Sequence, residues 1–334
     1  MMRRNFLVFL CALALGCLAG CSVHEFTESG EQGASVALSL EIRIDDVLLQ
    51  QHDIRYATKA AETAARYIVR FYPVLMEGFS IKAAFEFTMT EADLRDRTYS
   101  LPVAPMDYHI EVWADWISGA TDFYDTADFG SIEVSTKPYA GAEELRDAYC
   151  GSLDLDLSPY HSAHSIATAS VTLHRPLARL RFLSTDKDDF LRYWASQLAI
   201  LDGTNVKDPD AIDLGSFRVV VTYPQYMPSV YNLHDGTVVD SATGVSFESR
   251  IKELADGNLE LAWDWVFVYG DDASVVVNIS VFDDKGRPVV SLDDIQVPLT
   301  PGASTTVTGE LLSSHIDSGI HIDPSFDGET IIEI

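Results

Sequence analysis

Residues 274–292 read SVVVNISVFDDKGRPVVSL. Ser274–Phe282 is a β-branched run, Asp283-Asp284-Lys285-Gly286-Arg287 is a short loop carrying a glycine, and Pro288–Leu292 resumes the apolar run. Two β-rich runs joined this way form a hairpin. The same pattern extends outward in both directions. Phe217–Tyr223 and Leu259–Tyr269 precede the hairpin in the second half. Val36–Ile44, Arg66–Tyr72, Ala84–Met89, Tyr108–Trp116, Ser152–Leu157, Ala169–Leu173 and Leu177–Leu183 make up the first half and its junction with the second. Val36, Leu38, Leu40, Ile42 and Ile44 share one face by the two-residue period, as do Tyr108, Ile110, Val112, Ala114 and Trp116. Only Gly141–Tyr149 and Asp188–Ile200 read as helical, the second with Phe190, Trp194 and Leu198 at i, i+4 and i+8. Short strands separated by turn chemistry predict an all-β protein of antiparallel sandwiches rather than βαβ units, with one or two short crossover helices.

Length and charge bound the rest. The 334 residues suffice for two domains, each with its own core. A boundary near residue 175 gives an N-terminal sandwich over 36–175 and a C-terminal one over 176–334. With 23 Lys+Arg against 51 Asp+Glu, the net charge of −28 leaves no positive field to bind nucleic acid. It equally disfavours adsorption to anionic lipid.

The chain opens MMRRNFLVFLCALALGCLAGC. Arg3 and Arg4 precede an apolar run, Phe6–Leu18, too short to span a bilayer but suited to the core of a signal peptide. Leu18-Ala19-Gly20-Cys21 resembles a bacterial lipobox. Cleavage between Gly20 and Cys21 would remove residues 1–20, and the Cys21 thiol would take the lipid. General secretion accounts for the two arginines without invoking twin-arginine export. Loss of Arg3 and Arg4 takes the charge from −28 to −30. Cys150 then remains as one free thiol, so no disulfide framework is expected. Residues 21–35, polar and acidic, read as a flexible tether. The expected localisation is the outer membrane or cell surface, with the N-terminal lipid as the membrane attachment.

Candidate chemistry is thin. His161, His164 and His174 lack the cysteines and convergence of a zinc site and read as exposed histidines. Asp154 and Asp156 fall on the solvent face of an alternating strand, and Asp283–Gly286 reads as a turn rather than a calcium loop. Trp113, Trp116, Phe123 and Tyr124 form an aromatic cluster expected in the core. Cys150 reads as a structural thiol. Asp125-Thr126-Ala127 and Asp240-Ser241-Ala242 match an O-glycosylation sequon at the frequency composition alone predicts. No catalytic residue, metal or cofactor is expected, and no enzymatic reaction.

The order and spacing of several motifs resemble the fimbrillin-like surface lipoproteins of Bacteroidales, a family related to fimbrial anchor and accessory subunits. The motifs are Cys21, Arg66-Tyr67-Ile68-Val69-Arg70, Val112-Trp113-Ala114-Asp115 with Asp122-Phe123-Tyr124, and Leu145-Arg146-Asp147-Ala148-Tyr149. Leu173-His174-Arg175-Pro176-Leu177-Ala178-Arg179 marks the junction. Tyr223-Pro224, Met227-Pro228, Tyr231-Asn232, Val297-Pro298-Leu299 and Gly309-Glu310-Leu311-Leu312 follow, with the tail Gly319–Ile334. The resemblance implies two tandem transthyretin-like sandwiches and a role in fimbria assembly or adhesion. It also implies strand exchange with fimbrial subunits, for which Val36–Ile44 is the candidate segment and Arg43 and Arg55 the nearby protease sites. A chain ending on a strand at Ile331–Ile334 looks more like an anchor or accessory subunit than a stalk subunit. A carbohydrate-binding surface lipoprotein is the alternative, marked by exposed, coplanar Trp113, Trp263 or Trp265.

Overall fold

The computed structural model describes residues 36–44, 63–90, 99–118, 121–160, 166–203, 205, 208–270, 273–313, 321–322 and 329–333. The predicted signal peptide, the Gly20/Cys21 cleavage site, the tether, Arg55, His161 and His164 lie outside the described residues.

The protein is an all-β chain built on two hydrophobic cores. Around the first, β1 (Val36–Ile44) lies between β10 (Ile166–Leu173), to which it is parallel, and β4 (Tyr99–Val103), to which it is antiparallel. The facing sheet runs β3 (Phe85–Thr90), β2 (Thr63–Pro73), β5 (Asp107–Ser118) and β6 (Thr121–Asp122), with β9 (Tyr149–Asp156) paired to β5. Val36, Leu38 and Leu40 from one sheet meet Val69, Phe71, Tyr108, Ile110 and Val112 from the other. The alternation read in β1 and β5 is therefore the inward face of a sandwich. β5 differs from a simple amphipathic strand because its opposite face, with Glu111, Trp113 and Asp115, is buried as well. Trp113 belongs to the second core.

That second core lies between two further sheets. One runs β14 (Lys252–Glu253), β15 (Leu259–Phe267), β11 (Leu177–Ser184), β18 (Ser304–Gly309), β20 (Glu329–Glu333) and β19 (His321–Ile322). The other runs β17 (Pro288–Leu299), β16 (Ala273–Phe282), β12 (Arg218–Asn232), β8 (Ile132–Val134) and β7 (Tyr124–Asp125), with β13 (Thr237–Arg250) along β12. Pairing is antiparallel except at β1/β10, β11/β18 and β18/β20. The hairpin that opened the reading is present as β16 and β17. Asp283 N donates to Arg287 O and Gly286 N to Asp283 O, while Gly286 takes φ +75°.

Helix α1 (Lys187–Asp202) buries Phe190, Leu191, Trp194, Ala195 and Leu198, the stripe its spacing predicts, and ends at left-handed Gly203. The expected helix over Gly141–Tyr149 is a single 3-10 turn at Glu144–Arg146. Arg146 and Asp147 are drawn into buried ion pairs instead, and Gly141 lies so close to Phe247 that a Cβ would sit 2.2 Å from the ring. β10 and β11 flank residue 175 in different sheets, whereas Phe123–Ala148, which precede that point, pack into the second core.

Candidate functional site

β1 is a central strand held from both sides. Leu38 registers with Ala167 on β10 and with Leu101 on β4. The described β4 ladder ends at Leu40, Arg43 registers with Thr172 of β10, and its guanidinium reaches Glu41 at 2.7 Å. Val36, Leu38 and Leu40 are each 0% exposed, while Ile42 is half-buried. Ile44 continues the ladder opposite Leu173. Burying three such side chains is worth roughly 4–9 kcal/mol before entropic costs. Removal of β1 would open an apolar groove between β4 and β10 with two sets of unpaired backbone groups.

The sheet facing β1 carries the junction to the second core, and several of the first-half and junction motif residues meet there. Arg66 holds Asp115 through two bonds of 2.8 and 2.6 Å and reaches Asp122 at 3.4 Å. Trp113 donates to Asp115 at 3.1 Å and packs edge-on to Tyr124. Arg175 donates Nε and Nη2 to Asp147 at 2.6 and 2.9 Å and rests on the rings of Tyr149 and Trp265. Arg146 Nη1 donates to Asp264 at 2.5 Å, while Tyr139 and Tyr223 each donate to the other Asp264 oxygen at 2.7 Å. Burial pushes the Asp264 carboxyl upward, and these donors pull against that. Buried ions of opposite sign are thus matched, as a dry junction requires.

A third cluster escaped the sequence reading. Glu111 is 0% exposed, and both its oxygens lie near His234 Nδ1, at 2.9 and 3.0 Å. His109 Nε2 approaches Glu111 at 3.3 Å without hydrogen-bond alignment, while its Nδ1 lies 2.6 Å from Asp154. The one signal available was a carboxylate inside an apolar run, HIEVWADW over 109–116. Its partner His234, 123 positions away, could not be read from spacing.

The other candidates fall as follows. Asp154 and Asp156 are exposed on β9, and Asp283 caps its own hairpin turn, as read. Trp113, Phe123 and Tyr124 are core residues, and Trp116 is half-buried. Trp263 and Trp265 are buried with ring planes at 86°, so the three tryptophans make no flat exposed platform for a sugar. Cys150 is buried in the second core, bridged through its backbone to His174, and burial pushes its thiol up to about 12. Thr126 is buried and accepts from Arg70 through its carbonyl, while Ser241 is half-buried on β13. Among the described residues no group of three or more His, Cys, Asp or Glu side chains is placed to hold a metal, and no helix is long and apolar enough to cross a membrane.

A family model described as a family of unknown function, DUF6562, matches residues 28–334. The chain belongs to that family. No curated protein matches this DUF6562 chain. It is similar to the solved fimbrial anchor protein Mfa2 from Porphyromonas gingivalis, at 11% identity and TM-score 0.42, over 78% of this chain and 82% of that one. A proposed adhesin from Bacteroides ovatus matches at 12% identity and TM-score 0.41, over 78% of each chain. A proposed polysaccharide-binding protein from Bacteroides thetaiotaomicron matches at 12% identity and TM-score 0.43, over 77% of this chain and 80% of that one.

Proposed function

We propose that this DUF6562 chain is a lipid-anchored surface subunit of the fimbrillin-like kind, an anchor or accessory component acting in fimbria assembly or adhesion. It acts by binding, not by catalysis. The observation that supports this most is the placement of β1: an N-terminal strand, central in a three-stranded sheet, whose apolar face fills a groove that a partner's strand would also fit. Several motif residues of the fimbrillin-like resemblance, Arg66, Trp113, Asp115, Arg146, Asp147 and Arg175 among them, support it too, because they form ion pairs and aromatic contacts at the junction between the sheet facing β1 and the second core. Attachment through Cys21 completes the reading, with the outer membrane or cell surface as the site of action.

Two measurements test it. Deleting residues 22–44 should give a protein that aggregates, or that binds a peptide copying residues 34–46 and becomes monodisperse with it. A deleted protein that stays monomeric, ignores the peptide and melts with the full chain would remove the strand-exchange reading. Cys21→Ala should move the protein from the membrane fraction to the soluble or unprocessed fraction. Unchanged recovery in carbonate-washed membranes would remove the lipid anchor.

A further inference from the structure

We propose that Glu111, His109 and His234 form a pH-sensitive clasp between the two cores, closed when His109 carries both ring protons and loosened when it loses one. Glu111 and His109 stand on β5, in the sheet of the first core, and His234 stands in the turn between β12 and β13 of the second. Glu111 is a fully buried carboxylate whose described ion-pair partners are both imidazoles. Phe79 seals the cluster, stacked on His109 at 4.2 Å between ring centroids and edge-on to His234 at 5.4 Å.

The donor arithmetic makes the link pH-dependent. Each nitrogen of His109 faces a carboxylate, Nδ1 at Asp154 and Nε2 at Glu111. A carboxylate only accepts, so both contacts are attractive only in the imidazolium, and neutral imidazole turns a lone pair toward one of them. Contact with Glu111, and then with Asp154, raises the His109 pKa above the ordinary histidine value against the opposing effect of burial. With the folded value above the unfolded one, the stabilisation is fully present below about pH 6.5 and is lost as pH rises through the raised value. Loss of that proton leaves buried Glu111 with the His234 Nδ1 contact among its described partners.

The groups around the cluster do not take over the role. On β2, Arg70 is engaged by Glu86 and by the Thr126 carbonyl, and Tyr72 has its hydroxyl pushed well above its usual range by burial. Cys150 on β9 is a thiol held neutral by burial. Asp128, near His234 across Gly130, and Asp235, the residue after His234, are acidic and supply no positive charge to Glu111.

Hydrogen exchange on the full chain tests the clasp. After correction for intrinsic rates, amides in 107–113 and 230–236 should lose protection as pH rises from 6.5 to 9, the direction set by a His109 pKa higher in the closed state than in the open one. His109→Gln should already be weakly protected at pH 6.5 and show no further loss. Asp154→Asn alters a side chain that is 82% exposed and leaves the fold intact, so it serves if the buried variants misfold. It should move the onset of loss to lower pH. Protection that is flat with pH in the wild type, or an Asp154→Asn profile that overlays it, would overturn the proposal.

Discussion

Asp264 shows how much a single buried residue can hold. It accepts from Arg146, Tyr139, Tyr223 and the Trp265 amide, all within the second core or at its edge. Arg146 comes from a loop 118 positions earlier, so this carboxylate fixes the 139–148 segment onto β15. Taking away the charge leaves a guanidinium buried without a counter-ion, which costs about 3–5 kcal/mol. Asp264→Asn should therefore lower the urea midpoint by that equivalent. Arg146→Met combined with Asp264→Asn should cost less than the two single changes together, by about 1–3 kcal/mol of coupling. Strict additivity would mean the pair contributes nothing specific. None of this was legible in the sequence. Arg146 lies in one of the motifs behind the resemblance, but opposite charges far apart in a chain carry no mark that they meet. The first core's residues were legible, because the two-residue period of Val36–Leu40 and Tyr108–Ala114 marks the face that packs there, although burial of the opposite face of β5 at Glu111 and Trp113 was not legible.

At the scale of elements, alternating or β-rich apolar runs were recovered as strands, including β15, which is buried almost throughout, while β13, with few buried residues, was missed. β13 fully buries only Val245 and Phe247 of its apolar residues, Val238 and Ala242 packing partly buried against the second core, and among the described residues it pairs with β12 alone. The run read over Phe217–Tyr223 covers only the first part of β12. The strand continues through Pro224 and Pro228 to Asn232, and register shifts at Tyr223/Tyr226 and Pro228/Val230 absorb the missing donors. β1 is the element on which function turns, and its exposed end can be probed directly. Trypsin needs an extended, unpaired segment in its cleft, but the backbone at Arg43 is paired to β10 although the side chain is exposed. Arg43 should resist trypsin in the folded protein and be cut promptly once Leu38→Asp places a charge in the core and frees the strand. Mass spectrometry of the digests distinguishes the two. Equal cleavage at Arg43 in both proteins would show that the ladder does not guard the strand.

For the whole molecule, the informative feature is that chain order and core membership diverge. The sequence suggested a division near Arg175-Pro176, where β10 ends and β11 begins in another sheet. Yet Phe129, Ile132, Val134 and Tyr139 precede that point and are buried in the second core, and β8 registers Glu133 with Val230. The excursion was invisible beforehand because 123–148 is too short and too broken by turns to show a period. It has a mechanical consequence. The second core depends on a segment donated from the first half, and that segment is tied back by Arg70 to Thr126 and Arg175 to Asp147. Separate expression of 36–175 and 176–334 should thus give two poorly folded fragments, since one carries an orphaned apolar segment and the other an unfilled core. Mixed during refolding, they should form a stoichiometric complex with the near-ultraviolet circular dichroism of the intact chain. Extending the second fragment to begin at residue 121 should restore its cooperative melting without the partner. If 176–334 alone melts cooperatively at the temperature of the intact chain, the donated segment is an ornament on the second core and the two halves are mechanically independent.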